Sequence, residues 1–283
     1  MNKYADLHLH TNASDGEYSP QFVVRAAKAQ GFTAIAITDH DTLSGLPEAL
    51  KTSGEVNLEL IAGVEISTVW QSKEIHILGY LLDIDNSPLQ EKLVEMKSSR
   101  SQRIKNMVIQ LRNLGYDINF CEVLEISGSG AIGRPHIAKI LVKKGYVKTI
   151  KEAFIKLLSP GCPAYIPRYK ITPQEAIKLI LNARGIPVLA HPGVNPDDNL
   201  LPYLKEIGLQ GIEVWHPEHN NQAVDKYYSL AKTYELLMTG GSDWHGSNKD
   251  TNFFLGSIKI EYSLVENLKV RKQELIRCKL QTD

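Results

Sequence analysis

Histidines and carboxylates recur at the ends of apolar runs in this chain, and those residue types suit metal chemistry. His8 and His10 form an HxH pair. Alternate residues of a strand point to one face, so both imidazoles can reach one ion. His40 follows the run AIAIT in TDHD, Glu65 ends the next run in GVEIS, and His76 lies in EIHILGY. His191 follows VLA in AHPG, and Asp243 and His245 follow LLMTGG in SDWH. Any one such histidine is more often a satisfied core or surface residue than a ligand. Six of the nine histidines in one arrangement, with Glu65 and Asp243 among them, point to a metal centre. Imidazole and carboxylate without thiolate suit Mn, Zn or Fe rather than a structural cysteine site. These eight residues exceed what one tetrahedral ion takes. Shared among two or three ions, they leave positions open for water and substrate.

The elements that must carry these residues alternate between strand and helix. Residues 4–8 read as a short strand. Ser19 as cap, with Pro20 at the first helical position, opens a helix that ends at Gly31. Residues 34–38 read as a buried strand, 60–66 and 74–82 as further strands, and about 89–114 as a long helix stopped by Gly115. Later, Thr172, Pro173 and Glu175 make a capping-box start for a helix ending at Gly185. Residues 187–190, 211–215 and 236–239 read as strands. The ligand candidates sit mostly at the C-terminal ends of these strands, where a parallel α/β barrel collects its active site.

The middle of the chain breaks this pattern. Between about residues 100 and 167 it reads as helical, with punctuation at 128–133, Gly145 and 159–161. From Lys97 to Lys170 there are fourteen Lys/Arg against four Asp/Glu, a balance of +10. The whole chain has 32 of each, so the remainder carries −10. An acidic body suits cations, and a basic segment suits an anionic substrate, although a charge run can also be no more than a solvated face. With 43% hydrophobic and 23% charged residues the composition is that of a globular protein. No apolar run is long enough to span a bilayer, so no membrane partner is expected. The N-terminus enters a strand too early for a signal peptide, and Cys121, Cys162 and Cys278 form no CxxC pair. A cytoplasmic location is therefore expected.

The segments DLHLHTNASDG, ITDHDT, GVEIS, EIHILGY, AHPG and GGSDWHG resemble the polymerase and histidinol phosphatase (PHP) family. The resemblance covers about residues 4–95 and 171–260. The segment GRPHIAKIL at 133–141 is similar to the bacterial branch that removes the 3′-phosphate from nucleoside 3′,5′-bisphosphates. Some members of that branch also degrade short RNA from the 5′ end. The fold expected is α/β: a distorted parallel (β/α)7-type barrel formed by 1–97 and 168–283. A basic helical insertion domain, 98–167, would form a lid or wall at its mouth. The resemblance implies three divalent ions, with Mn favoured and Zn or Fe open. His8, His10, Glu65 and Asp243 would hold the first, and Glu65 would bridge to the second with His76 and His191. Asp15, His40 and His245 would hold the third. Asp15 enters only through the resemblance, since by itself it reads as a turn residue in SDG.

Arg134 and Arg168 are the candidate phosphate binders, because a guanidinium fork matches phosphate oxygens. His219 in WHPEH is a candidate for contacting phosphate or protonating the leaving oxygen. His216 reads equally as a residue supporting a ligand or as structural, and His136 as a support of the insertion helix. Tyr165 and Tyr169 could stack a base, with core packing the competing reading. The activity expected is metal-dependent hydrolysis of nucleotide phosphate esters, with Glu65, Asp243 and His219 as catalytic candidates. The partner would be a small anionic nucleotide or a short RNA end, not a long duplex. The alternatives are a histidinol phosphate phosphatase and a non-catalytic metal-binding accessory module. The sequence leaves the oligomeric state open.

Overall fold

The computed structural model describes residues 3–71, 73–127, 132–167, 171–197, 199–246 and 253–280. The chain divides into two compact units, Met1–Lys92 with Ile171–Asp283, and Leu93–Lys170.

The first unit begins with β1 (Tyr4–Leu9), α1 (Pro20–Ala29), β2 (Ala34–Ile37), α2 (Leu46–Val56), β3 (Glu59–Trp70) and β4 (Lys73–Tyr80). The Ser19 side chain accepts the Phe22 N–H at the start of α1, and Pro20 loses nothing there because the first helical N–H has no partner within the helix. Val23, Val24 and Ala27 form the buried face of α1 against Ile35, Ile37, Leu46 and Ala49. The next helix, α3 (Ser87–Asn113), runs across the division between the units.

The second unit continues with α4 (Phe120–Ser127), α5 (Arg134–Lys143), α6 (Ile150–Ala153) and a π-helical turn over Phe154–Leu158. It has its own core of Ile104, Met107, Leu111, Ile137, Leu141, Leu157 and Leu158. No strand occurs among its described residues, in keeping with the helical pattern of that stretch.

The first unit resumes with α7 (Pro173–Asn182), β5 (Ile186–Leu189), α8 (Leu200–Glu206), β6 (Gly211–Trp215), α9 (Asn221–Thr233), β7 (Leu237–Gly240), β8 (Ile260–Glu261) and α10 (Ser263–Leu280). Thr172 and Glu175 form the expected capping box of α7: Glu175 donates its N–H to the Thr172 hydroxyl, and Thr172 donates its own N–H to the Glu175 carboxylate. The strand order is β7-β6-β5-β4-β3-β2-β1-β8. Just past β7, Trp244 bridges Leu9, and its carbonyl accepts the His10 N–H at 3.1 Å. This brings the far edge round to β1 and makes a nearly closed barrel of α/β type.

Seven strand pairings give the barrel its distortion. β4 runs antiparallel to both β3 and β5, whereas β1–β2, β2–β3, β5–β6 and β6–β7 are parallel and β8 meets β1 antiparallel. The cause is the connection. Trp70 pairs directly with Lys73, and a parallel return would need a crossover of a dozen or more residues. Reversal puts the beginning of β4 at the end of the barrel where the parallel strands finish. Among the described residues no helix is long and apolar enough to cross a membrane.

Candidate metal centre

Strand geometry accounts for the first ligands. Along β1, Asp6, His8 and then His10 alternate with Ala5, Leu7 and Leu9, so three polar groups share one face, all of them buried. His40 follows β2, His191 follows β5, and Asp243 and His245 follow β7. Glu65 lies within β3 and His76 in the first half of the reversed β4, so both reach the same end of the barrel.

Glu65 is the hub. It is 1% exposed, and five imidazoles face its two oxygens. Oε1 lies 2.7 Å from Nδ1 of His76 and 3.0 Å from Nε2 of His191. Oε2 lies 3.0 Å from Nδ1 of His40, 3.4 Å from Nε2 of His8 and 3.3 Å from Nε2 of His10. Asp243 Oδ1 stands 3.3 Å from Nε2 of His8 and 3.0 Å from Nε2 of His10. Asp15 Oδ1 stands 3.3 Å from Nε2 of His245.

Three groups bring their ligand atoms within 4.8 Å of one another: His8, His10, Glu65 and Asp243; His40, Glu65 and His76; and His10, Asp15, His40 and His245. The first matches the set implied for one ion. In the others, His10 joins the Asp15 group and His40 joins the Glu65–His76 group, so neighbouring groups share histidines. His191 stands outside these groups but against Glu65 Oε1.

These residues fit divalent cations. His8 Nε2, both nitrogens of His10, His40 Nδ1 and Glu65 Oε2 are buried without a hydrogen-bond partner. They face one another at ion-pair distance but not in hydrogen-bond geometry. Leaving buried polar atoms so is costly, and a shared cation satisfies several at once. Protonation tells the same story. Burial opposes a charge on His10, yet Asp243 and Glu65 override it and hold the ring up to about 10. Burial is likewise overridden at His76, which Glu65 and Glu74 hold up to about 9. Glu65 is pushed up by burial, but His40, His76 and His8 hold it well below the usual carboxylate range. His10 and His76 thus carry positive charge beside these acids, a charge that cations can replace, whereas burial lowers His40.

Behind the ligands lies a ring of buried groups that the motif reading missed. Glu213 of β6 accepts from His8 Nδ1 at 3.0 Å and from the His191 N–H at 2.8 Å. Asp6 accepts the Ser242 N–H and hydroxyl, fixing the turn that carries Asp243. Asp39 accepts from the Thr11 N–H and from the Thr11 and Ser14 hydroxyls, fixing the loop that carries Asp15. The signal was present: a charged residue inside each of the apolar runs GIEVW, ADLHL and AITDH. Backbone strain collects here too. His191 and Asp243 have φ of 24° and 48°, uncommon for non-glycine residues and frequent at functional sites. Gly241 is required by close approach, since a Cβ there would collide with the backbone nitrogen of His8.

The remaining candidates divide. His216 takes the Glu218 N–H on Nδ1 and lies 3.3 Å from Asp243 Oδ2 through Nε2, so it braces a ligand. His219 donates from Nδ1 to the Val214 carbonyl at 2.8 Å and accepts the Gly193 N–H on Nε2 at 3.1 Å. Both its nitrogens are thus engaged by backbone groups. In the second unit, Arg134 donates to the Leu158 carbonyl and stacks on Phe154 and Tyr165, and Arg103 stacks on the same Tyr165. His136 accepts the Gly133 N–H and so supports the start of α5. Arg168 and Tyr169 lie outside the described residues.

Comparison with known proteins adds the following. The model of the PHP domain matches residues 6–182. The 5'-3' exoribonuclease Rnm of Salmonella typhimurium is 33% identical over 248 residues, covering 85% of this chain and 84% of that protein. The 3',5'-nucleoside bisphosphate phosphatase of Chromobacterium violaceum is 32% identical over 251 residues, covering 85% and 86%. A crystal structure described as a metal-dependent phosphoesterase from Bifidobacterium adolescentis superposes with a TM-score of 0.82 at 33% identity, covering 94% of this chain and 96% of that one.

Proposed function

The chain belongs to the PHP domain family and is a metal-dependent phosphoesterase, and we propose that it removes the 3′-phosphate of nucleoside 3′,5′-bisphosphates and trims short 5′-phosphorylated RNA. The observation that supports this reading is the convergence of nine acid and imidazole residues, five of whose buried atoms lack a hydrogen bond. A group of divalent cations would satisfy several of those buried atoms at once.

We read the site as holding three ions, with Mn favoured and Zn or Fe open. His8, His10, Glu65 and Asp243 would hold one, and Glu65, His76 and His191 a second. Asp15, His40 and His245 would hold the third, with His10 or His40 shared where neighbouring groups meet. Such ions supply a nucleophile from water near neutral pH and neutralise charge on the phosphoryl oxygens. The protein's part is to keep the ligands fixed. Glu65, with imidazoles facing both of its oxygens, would serve two of these ions. Asp243 offers one oxygen inward while His216 engages the other. Arg134 and Arg168 are our candidates for gripping a second phosphate, on residue chemistry and the +10 balance of their segment. We read His219 as fixing the loop after β5 rather than as the acid.

The test is a substrate panel with the manganese-loaded protein: adenosine 3′,5′-bisphosphate, adenosine 3′-monophosphate, 5′-phosphorylated and 5′-hydroxyl oligoribonucleotides, and histidinol phosphate. The expected result is turnover of the bisphosphate and the 5′-phosphorylated RNA above the rest. Preference for histidinol phosphate would overturn the nucleotide assignment while leaving the hydrolase in place.

A further inference from the structure

Glu213 is the buried carboxylate that the phosphoester chemistry leaves without a role. It sits in β6 and is fully enclosed. Its two oxygens go to two different ligand residues. Oε1 accepts from Nδ1 of His8 at 3.0 Å, and Oε2 accepts the backbone N–H of His191 at 2.8 Å. An ionised carboxylate only accepts, so the hydrogen belongs on Nδ1 of His8. The other nitrogen, Nε2, faces Glu65 Oε2 at 3.4 Å and Asp243 Oδ1 at 3.3 Å, and it is the atom left to meet a cation. That nitrogen is one of the buried atoms without a hydrogen bond. His191 meanwhile holds a left-handed backbone, φ 24°, that a non-glycine residue keeps only when something fixes it.

We infer that Glu213 is a positioning residue that fixes the tautomer of His8 and the backbone of His191 together, keeping ligands of two ion positions in register. The inference rests on reading His8 and His191 as metal ligands. Glu213→Gln keeps the shape but replaces one acceptor with a donor. If the amide oxygen takes the His191 N–H, the amide NH2 faces Nδ1 of His8 and drives the ring hydrogen to Nε2, the atom that must face the ion. If the amide turns over, two donors oppose each other at His191. Either arrangement spoils a ligand without changing the volume of the core.

The experiment uses zinc as the probe, with histidine labelled by ¹⁵N. In the zinc-loaded wild type, His8 should show a protonated Nδ1 shifted downfield by its carboxylate partner and a zinc-bound Nε2. In Glu213→Gln that resonance should disappear, zinc affinity should fall roughly tenfold to a hundredfold, and with manganese kcat should fall while KM stays within about twofold. Asp39→Asn, which removes a buried acid that holds the 11–15 loop, should keep the His8 resonance. A wild type that binds zinc with His8 Nδ1 unprotonated would overturn the inference even if Glu213→Gln did not fold. So would a Glu213→Gln protein with the resonance and zinc affinity intact. In both cases the metal reading would survive. A wild type that binds no zinc or manganese would overturn both.

Discussion

Glu65 and His76 are two positions out of register on neighbouring antiparallel strands, with Ser67 opposite His76 and Leu78 opposite Glu65, yet their side chains meet at 2.7 Å. Residues two apart on a strand share a face, and a diagonal pair is within reach of long side chains. The hairpin that reverses β4 is thus what brings His76 to the hub. If β4 returned parallel after a crossover helix, His76 would be read from its other end.

Glu65 should accordingly be the most sensitive carboxylate. Glu65→Gln replaces a charge that faces five imidazoles with an amide that bridges poorly. We expect metal content, by elemental analysis, to fall together with the rate. A variant that keeps the wild-type metal content and near-normal turnover would show that Glu65 joins no two ions.

Metal uptake should depend on pH in a direction set by the imidazoles. In the metal-free protein His10 is held up to about 10 and His76 up to about 9, both above the ordinary value of 6.5. Raised histidines stabilise the fold fully below pH 6.5, and that contribution is lost as pH rises toward 9–10. Chelated protein should therefore melt lower at pH 9 than at pH 7. Ligating imidazoles must be neutral, so binding at pH 7 should release protons and tighten as pH rises. Calorimetry in buffers of different ionisation enthalpy measures the release. Proton-neutral binding, or a metal-free melting temperature that climbs from pH 7 to 9, would contradict this account. Add-back of Mn²⁺ to the chelated protein should restore turnover.

Much of this candidate centre was legible in the sequence because most of its residues lie in or just after short apolar runs, and a barrel delivers the ends of its strands to one place. Asp15 needed the family resemblance, since an SDG turn carries no strand signal. The sharing of His10 and His40 between neighbouring groups was not legible, because it depends on where Asp15 stands relative to β1 and β2. The reversal of β4 hid in the short sequence separation between Trp70 and Lys73. Glu213, Asp6 and Asp39 were visible only as charges inside apolar runs, and a pattern built on ligand types passes over them. Nor can spacing reveal that the Val214 carbonyl and the Gly193 N–H engage both nitrogens of His219.

Arg134 should act on substrate and leave metal binding alone. It stacks on Phe154 and Tyr165 and belongs to a unit with its own core. Arg134→Ala should lower kcat/KM on a nucleotide bisphosphate roughly tenfold to a hundredfold, the scale of ~1.5–3 kcal/mol of charge-assisted bonding. Metal content should stay at the wild-type level. Loss of metal in this variant would mean that its effect is structural.

The basic segment should set specificity through the phosphate that is not cleaved. Residues 97–170 carry +10 and the rest of the chain −10. On the function we propose, a bisphosphate offers one phosphate for hydrolysis and a second for recognition, whereas a nucleoside 3′-monophosphate lacks the second. Binding energy from a remote group can orient the reacting one, so the missing phosphate should lower kcat as well as affinity. We expect adenosine 3′,5′-bisphosphate to be cleaved more efficiently than adenosine 3′-monophosphate. That preference should shrink in Arg134→Ala and weaken modestly with rising salt, because salt screens attraction between charges that water can reach. Equal efficiency on the two substrates in the intact enzyme would rule out recognition at two points and leave the basic segment without a part in substrate choice.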